Sequence, residues 1–344
     1  MAASRHSAGV LACTITLLGT SALSGQTIRG RVLDGAAVAS GVPIAGAVIV
    51  LLDSLGGRVR GALSGSDGLF VIRAESGGTH RLRAEMIGRT SIESPIFAVR
   101  DSIFHTLVLP PEPIQLAGLD IESARRCSVR DQVARATHVV WEEAQKALRA
   151  ESIVRQAAIY RFHVAQHERR LDADGHDVLD EKTRYLTQVN DDPFSTLAPD
   201  ILARDGYVHE EEGDTWIYGP STDVLLSTGF QDTHCFALRQ ERSKPGLVGL
   251  SFEPVPGRRL ADIEGVLWLD KASAELRTLE FRYRNIPQRL LRGEYTGFAS
   301  FRRLDNGAWI IEKWWLRSPA SSTRRRVTSI REEAGEVIRI EAIR

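Results

Sequence analysis

The 344-residue sequence predicts a mainly β protein, an N-terminal β-sandwich followed by a C-terminal antiparallel curved sheet or half-barrel with one helix. Three observations predict it. Residues 27–109 break into short apolar runs punctuated by Gly, Pro and Asp. Residues 129–149 place apolar side chains at helical spacing. From Ile153 onward, strand-like segments return.

The first element belongs to neither domain. Arg5, an apolar run from Val10 to Leu18 and the small residues of Ala22-Leu23-Ser24 follow the order of a secretory signal peptide. Residues 1–24 are therefore expected to be removed, leaving a mature chain that starts near Gly25. The run is too short to span a bilayer, and no later window approaches 20 apolar residues, so no transmembrane helix is expected. Export implies a periplasmic or outer-membrane-associated protein. Val10-Leu11-Ala12-Cys13 is similar to a lipidation site, but the apolar run continues past the cysteine, which favours simple cleavage.

Residues 25–110 form the sandwich domain. Thr27–Asp34 alternates, and Ala47–Leu52 is apolar on both sides, as a central strand is. Asp67-Gly68 turns the chain into Leu69–Ile72, Arg81–Ala84 alternates again, and Phe104–Leu109 closes the series. Ile28-x-Gly30-x-Val32-x-Asp34, Pro43-Ile44-x-Gly46-Ala47, Asp67-Gly68-x-Phe70-x-Ile72 and Leu82 to Ile87-Gly88 together resemble a carboxypeptidase regulatory-like domain. The resemblance covers the N-terminal domain only. It implies a seven-stranded, transthyretin-like sandwich with a carbohydrate-binding-like fold. It is nearly silent on function, because the domain occurs joined to many different partners.

Pro110-Pro111-Glu112-Pro113 reads as a stiff connection, and residues 111–128 as the linker. In the C-terminal domain, 129–344, Val129, Val133, Ala136, Val140, Ala144 and Leu148 recur every three or four residues and predict one amphipathic helix. Strands are expected at 158–168, 183–189, 235–239, 247–252, 263–269, 276–283, 295–303, 309–316 and 337–343. Asp305-Asn306-Gly307 predicts a hairpin with a two-residue type of turn. Residues 190–234 mix Pro, Gly and acidic residues with little periodicity and read as a long, partly ordered insertion. Gly265–Lys271 and Leu276–Phe281 resemble the strand-turn-strand of outer-membrane lipoprotein carriers and related envelope proteins.

Loss of Cys13 with the signal peptide leaves Cys127 and Cys235. An even count in an oxidising compartment predicts a disulfide between them, with two buried thiols as the alternative. No CxxC knuckle is present to hold zinc.

Composition excludes some partners. Lys and Arg (44) balance Asp and Glu (44), so no basic field favours nucleic acid. His209-x-x-Glu212, with His234 beyond it, has the spacing of a zinc peptidase motif but lies in the irregular segment and reads as a solvated loop. His163 and His167, four apart in a strand, stand roughly 13 Å apart and do not share an ion. Asp172–Asp177 has its glycine fourth, where a calcium-binding EF-hand loop has it sixth, and reads as a hairpin turn. No nucleophile elbow, phosphate loop or dinucleotide fingerprint occurs.

No catalytic, cofactor-binding or metal-binding residue is therefore nominated, and no enzyme is expected. Trp314 and Trp315 are the candidate ligand contacts. Neighbours in a strand point to opposite faces, so one of the two is expected outside, where a flat ring suits a sugar; core packing is the alternative. The leading expectation is a non-catalytic exported envelope protein with the sandwich as an interaction or spacer module. Its ligand would be an unknown protein, glycan or lipid. The second is a carrier for a lipid or other apolar ligand inside the half-barrel, and the third an unrecognised hydrolase.

Overall fold

The computed structural model describes residues 26–74, 78–99, 102–112, 132–211, 214–287, 290, 294–320, 322–323, 326–327 and 329–343. The expected signal peptide, most of the linker and Cys127 lie outside the described residues.

The N-terminal strands are β1 (Gln26–Asp34), β2 (Val48–Leu52), β3 (Arg58–Leu63), β4 (Leu69–Ala74), β5 (Thr79–Glu85), β6 (Ile92–Glu93), β7 (Phe97–Ala98) and β8 (Ile103–Leu109). They form two sheets, β4-β1-β8 and β3-β2-β5-β6, with β7 also on β5. Ile28, Ile49, Leu51, Phe70, Leu82 and Leu107 fill the space between them. Gly68 makes the turn into β4 at φ 76°, where a Cβ would stand 2.6 Å from the Val32 carbonyl oxygen. Only glycine fits such a position without strain. The sequence reading missed β3, whose first three residues are exposed and carry no buried alternation. Backbone pairing with β2 creates it.

The C-terminal domain opens with α1 (Gln132–Ala157), which runs two turns past the expected helix. Next come β9 (Tyr160–Leu171), β10 (Val178–Gln188), α2 (Pro199–Asp205), β11 (Val208–Glu211), β12 (Asp214–Ile217), α3 (Thr222–Leu226) and α4 (Thr228–Thr233). The remainder is β13 (His234–Arg239), β14 (Leu247–Pro254), β15 (Asp262–Asp270), β16 (Leu276–Arg284), β17 (Thr296–Arg303), β18 (Trp309–Pro319), β19 (Ser322–Thr323), β20 (Arg326–Val327) and β21 (Ile330–Ala342). Nine of these strands build one open antiparallel sheet in the order β10-β9-β21-β18-β17-β16-β15-β14-β13. The last strand returns to pair with the first, β9, so the order is not a simple meander.

One face of this sheet, here the inner face, packs on α1 through Leu250, Leu267, Leu279, Phe281 and Trp314. Val140, Ala144, Ala147 and Leu148 are the helix side of that core and are fully buried. Two inner-face glycines make room for rings: a Cβ on Gly335 would stand 2.3 Å from Trp314, and one on Gly297 2.2 Å from Phe281.

Two expectations need correction. Residues 190–234 are not a loosely ordered insertion: among the described residues they carry three short helices and the β11–β12 hairpin. Phe194, Leu202, Tyr207, Ile217, Val224, Leu225 and Phe230 join the α1 core, so burial against the sheet and helix supplies the order that local periodicity lacks. The β17–β18 connection is not a two-residue turn either. Leu304 and Ala308 close it, leaving Asp305-Asn306-Gly307 with Gly307 at φ 85°, the three-residue arrangement in which glycine takes the left-handed place.

The two domains share a core. Ile49 and Leu51 of β2 face the sandwich interior, whereas Val48, Val50 and Leu52 on the other side of the same strand pack into the α1 core. Polar contacts lock the seam. The backbone N–H of Gly88 donates to Glu143 at 3.0 Å, Lys146 Nζ donates to the Arg89 carbonyl at 2.8 Å, and Arg149 pairs with the buried Glu85 at 2.7 Å. Pro111 and Glu112, expected as linker, are still tied to the sandwich through Arg89 and Gly88.

Candidate functional site

A groove of about 750 Å³ lies on the outer face of the nine-stranded sheet, away from α1. Cross-strand register builds it. Ala237, Ser251, Val266, Glu280, Phe298 and Trp315 stand opposite one another across β13 to β18. The same row continues through Ala334, His167 and Thr183 to the far edge. Residues in register share a face, so this row is one continuous surface.

One end of the groove is an aromatic platform. The rings of Phe298 and Trp315 stack at 11°, centroids 6.0 Å apart, and the Arg317 guanidinium lies 5.3 Å from the Trp315 ring. Its charged wall is largely paired: Glu264 holds both Arg282 and Arg284, Lys244 reaches Glu280 at 2.6 Å, and Arg239 reaches Glu241 at 2.7 Å. Lys244 also covers the Trp268 ring at 4.3 Å. Ser251 and Thr296 add hydroxyls. The arrangement offers flat apolar faces beside fixed hydrogen-bonding groups.

The tryptophan pair divides as strand alternation requires. Trp314 points inward and is buried, while Trp315 points out and lines the groove. Cys235, the second residue of β13, lines the same groove, and its expected partner Cys127 lies outside the described residues.

The interior of the domain holds far less space. Between α1 and the inner face a cavity of about 40 Å³ is lined by Glu151, Val164, Trp309 and Trp314. Burial pushes the Glu151 carboxyl up to about 7, and Thr222 donates to it at 2.6 Å. Arg155 gathers Glu151, Asp192 and Asp223 within 3.6 Å, tying α1 to the 190–234 segment.

The sequence does not single out this cluster, and it offers His234 only as the distant histidine of the zinc-peptidase spacing, read there as a solvated loop. His234 stacks on Phe230 with centroids 4.0 Å apart and lies 3.2 Å from Asp262, with Thr233 3.1 Å away on its other nitrogen. The composition of that trio resembles a catalytic one. Its groups are spent on structure: Thr233 donates to the Gly229 carbonyl, and the ring bridges the Phe230 and Ile263 carbonyls. The narrow gap beside it, against Pro199, Leu202 and Arg258, has no room for a water molecule.

Other expected readings fall where strand geometry puts them. His163 and His167 both lie on β9, and Asp172 caps its own turn by accepting from the backbone N–H groups of His176 and Asp177. His209 sits on β11, and Glu212 is outside the described residues. Among the described residues no group of three or more His, Cys, Asp or Glu is placed to hold a metal ion, and no helix is long and apolar enough to cross a membrane.

In the N-terminal domain β1 pairs in parallel with β8 and antiparallel with β4, and Gly30 admits the Phe70 ring between the sheets. Residues 27–106 match the carboxypeptidase regulatory-like domain. The regulatory-like domain is a non-catalytic one. No curated protein matches the chain. Among solved structures, the pilus 2b backbone protein of group B streptococcus is 16% identical over 26% of this chain, with a TM-score of 0.23. The chain spans 42% of that protein's length. A type II cohesin–X-dockerin complex from Acetivibrio cellulolyticus is 13% identical over 35% of this chain and 74% of its own, with a TM-score of 0.23. A DUF1329 family protein from Desulfovibrio piger is 12% identical over 62% of this chain and 93% of its own, with a TM-score of 0.28.

Proposed function

We propose that the protein is a non-catalytic, exported binding protein of the cell envelope that holds a glycan chain in the outer-face groove of its C-terminal sheet. The observation that carries this reading is the Phe298–Trp315 platform set into a groove of about 750 Å³, within the size range of ligand sites. Sugar rings present flat C–H faces to aromatic rings and hydroxyls to carboxylates and guanidinia, and both kinds of group line the groove. The regulatory-like sandwich, fused to α1, acts as an interaction module that also holds the helix in place. A lipid carrier inside the half-barrel is less well supported, because the interior cavity of about 40 Å³ has room for about one water molecule.

Tryptophan fluorescence and calorimetric titration with soluble envelope oligosaccharides test the reading. Trp315→Ala and Phe298→Ala are each expected to weaken binding about tenfold or more, since stacking of a ring on an aromatic contributes on the order of 1–3 kcal/mol where it has been measured with nucleobases. Trp314→Ala, a core change, is expected to destabilise the fold by about 3–5 kcal/mol. Unchanged affinity in the Trp315→Ala and Phe298→Ala variants rejects the site.

Export is tested on its own. Mass spectrometry of unreduced protein from the envelope fraction is expected to find a start near Gly25 and a Cys127–Cys235 link. Retention of residues 1–24 counts against export, and free thiols count against the bridge.

A further inference from the structure

We propose that the outer face of the β4-β1-β8 sheet docks on an anionic phospholipid surface. This inference rests on residues separate from the groove and does not depend on what the groove holds.

The face is made by alternate residues of three strands. Register sets Arg29 between Val71 and Phe104, and Arg31 between Leu69 and Thr106, with Arg73 at the end of β4 opposite Thr27. The apolar members are open to solvent: Leu69 is 45%, Val71 54% and Phe104 58% exposed. Guanidinia and apolar side chains therefore interleave across one face.

Among the described residues, charge on this patch has one sign. No carboxylate projects from the outer face of the three strands. The nearest described acids are occupied elsewhere: Asp67 accepts from the Leu69 backbone N–H at 2.9 Å, and Asp34 takes both nitrogens of Arg89 at 2.8 Å. Arg31 donates through Nε to the Asp67 carbonyl at 3.0 Å, which orients the guanidinium without neutralising it. Arg29 and Arg73 make no ion pair among the described residues. In a chain of zero formal net charge, such a local excess acts as an orienting field.

Among the described residues the patch is also unobstructed. The sandwich gives its other sheet to α1, through Val48, Val50 and Leu52, so the β4-β1-β8 face is turned away from the C-terminal domain. Guanidinium forks match phosphate oxygens, and Phe104, Val71 and Leu69 between them suit the boundary between headgroups and acyl chains. An acidic protein would meet the charge but would leave the interleaved apolar residues to an unspecified surface. A phospholipid interface satisfies both.

The experiment is co-sedimentation of the full chain with vesicles of phosphatidylcholine alone and of phosphatidylcholine mixed with phosphatidylglycerol, at low and high salt. Binding is expected to the mixed vesicles only and to weaken as salt rises. Arg29→Gln with Arg73→Gln is expected to lower the partition coefficient about thirtyfold, and Phe104→Ser to lower it further. These residues are exposed, so circular dichroism is expected to show native folds. Arg204→Gln, distant on α2, is expected to bind like the parent. The proposal is overturned by equal binding to both vesicle types, by variants that bind like the parent, or by absence of vesicle binding at low salt. Capture by soluble polyglutamate without vesicle binding overturns it in favour of an acidic polypeptide.

Discussion

At the residue scale, Glu151 shows how burial against several neighbours changes a side chain's chemistry. It sits in the last turns of α1 with its oxygens committed to Thr222 and Arg155, and burial raises its carboxyl from the ordinary 4.5 to about 7. The native state therefore holds a proton that the unfolded chain releases between those values. Stability from this group is fully present below about pH 4.5 and falls as pH rises through 7, by about 3 kcal/mol in all. Glu151→Gln, which still accepts from Thr222, is expected to flatten urea-derived stability between pH 5 and 8. An unchanged slope would show that other groups set it. Trp314 and Trp315 make the complementary point. Adjacent in sequence and identical in chemistry, they differ only in the face onto which strand alternation turns them.

At the element scale, strands were legible wherever apolar residues alternate, as in β1, β4 and β5, and where turn chemistry marks their ends, as at Asp67-Gly68. β3 was not, because an edge strand lying partly in solvent needs no apolar pattern. Residues 190–234 were misread for a related reason: α2, α3 and α4 are too short for helical periodicity to register, and their burial comes from partners distant in sequence. The β17–β18 turn shows how local signals and tertiary contacts meet. Gly307 takes the left-handed conformation that Asn-Gly announces, yet it also lies against the backbone of Gly46 in the sandwich. A Cβ on Gly307 would stand 2.7 Å from the Gly46 Cα, backbone against backbone, with no flexible end to give way. Gly307→Ala is expected to cost about 2 kcal/mol or more in chemical denaturation, from the unfavourable φ together with this contact. A neutral result would mean that the two domains separate there easily.

For the whole molecule, β2 and α1 matter most. A strand apolar on both sides was expected to be central, and it is central to two cores at once, with Ile49 and Leu51 facing one and Val48, Val50 and Leu52 the other. α1 is correspondingly buried on nearly every side from Glu143 to Val154, where Glu143, Lys146 and Arg149 meet the sandwich and Glu151 and Ser152 meet the 190–234 segment. Calorimetry of the full chain is therefore expected to show one cooperative transition. A separate 26–112 fragment, with Val48, Val50 and Leu52 uncovered, is expected to melt lower or to aggregate. Two separate transitions in the full chain would show that the shared core does not couple the domains.

By itself the sequence determined the β class, the sandwich and its turns, the helix, most strands of the large sheet and the opposite facing of Trp314 and Trp315. All of these follow from side-chain periodicity and from backbone preferences within a few residues. The groove, the basic-apolar face, the ordering of 190–234 and the fusion of the domains were decided only in the tertiary structure. Each depends on which strands stand side by side, and in what register. That choice is made by burying apolar surface between segments far apart in the chain, and no local pattern records it.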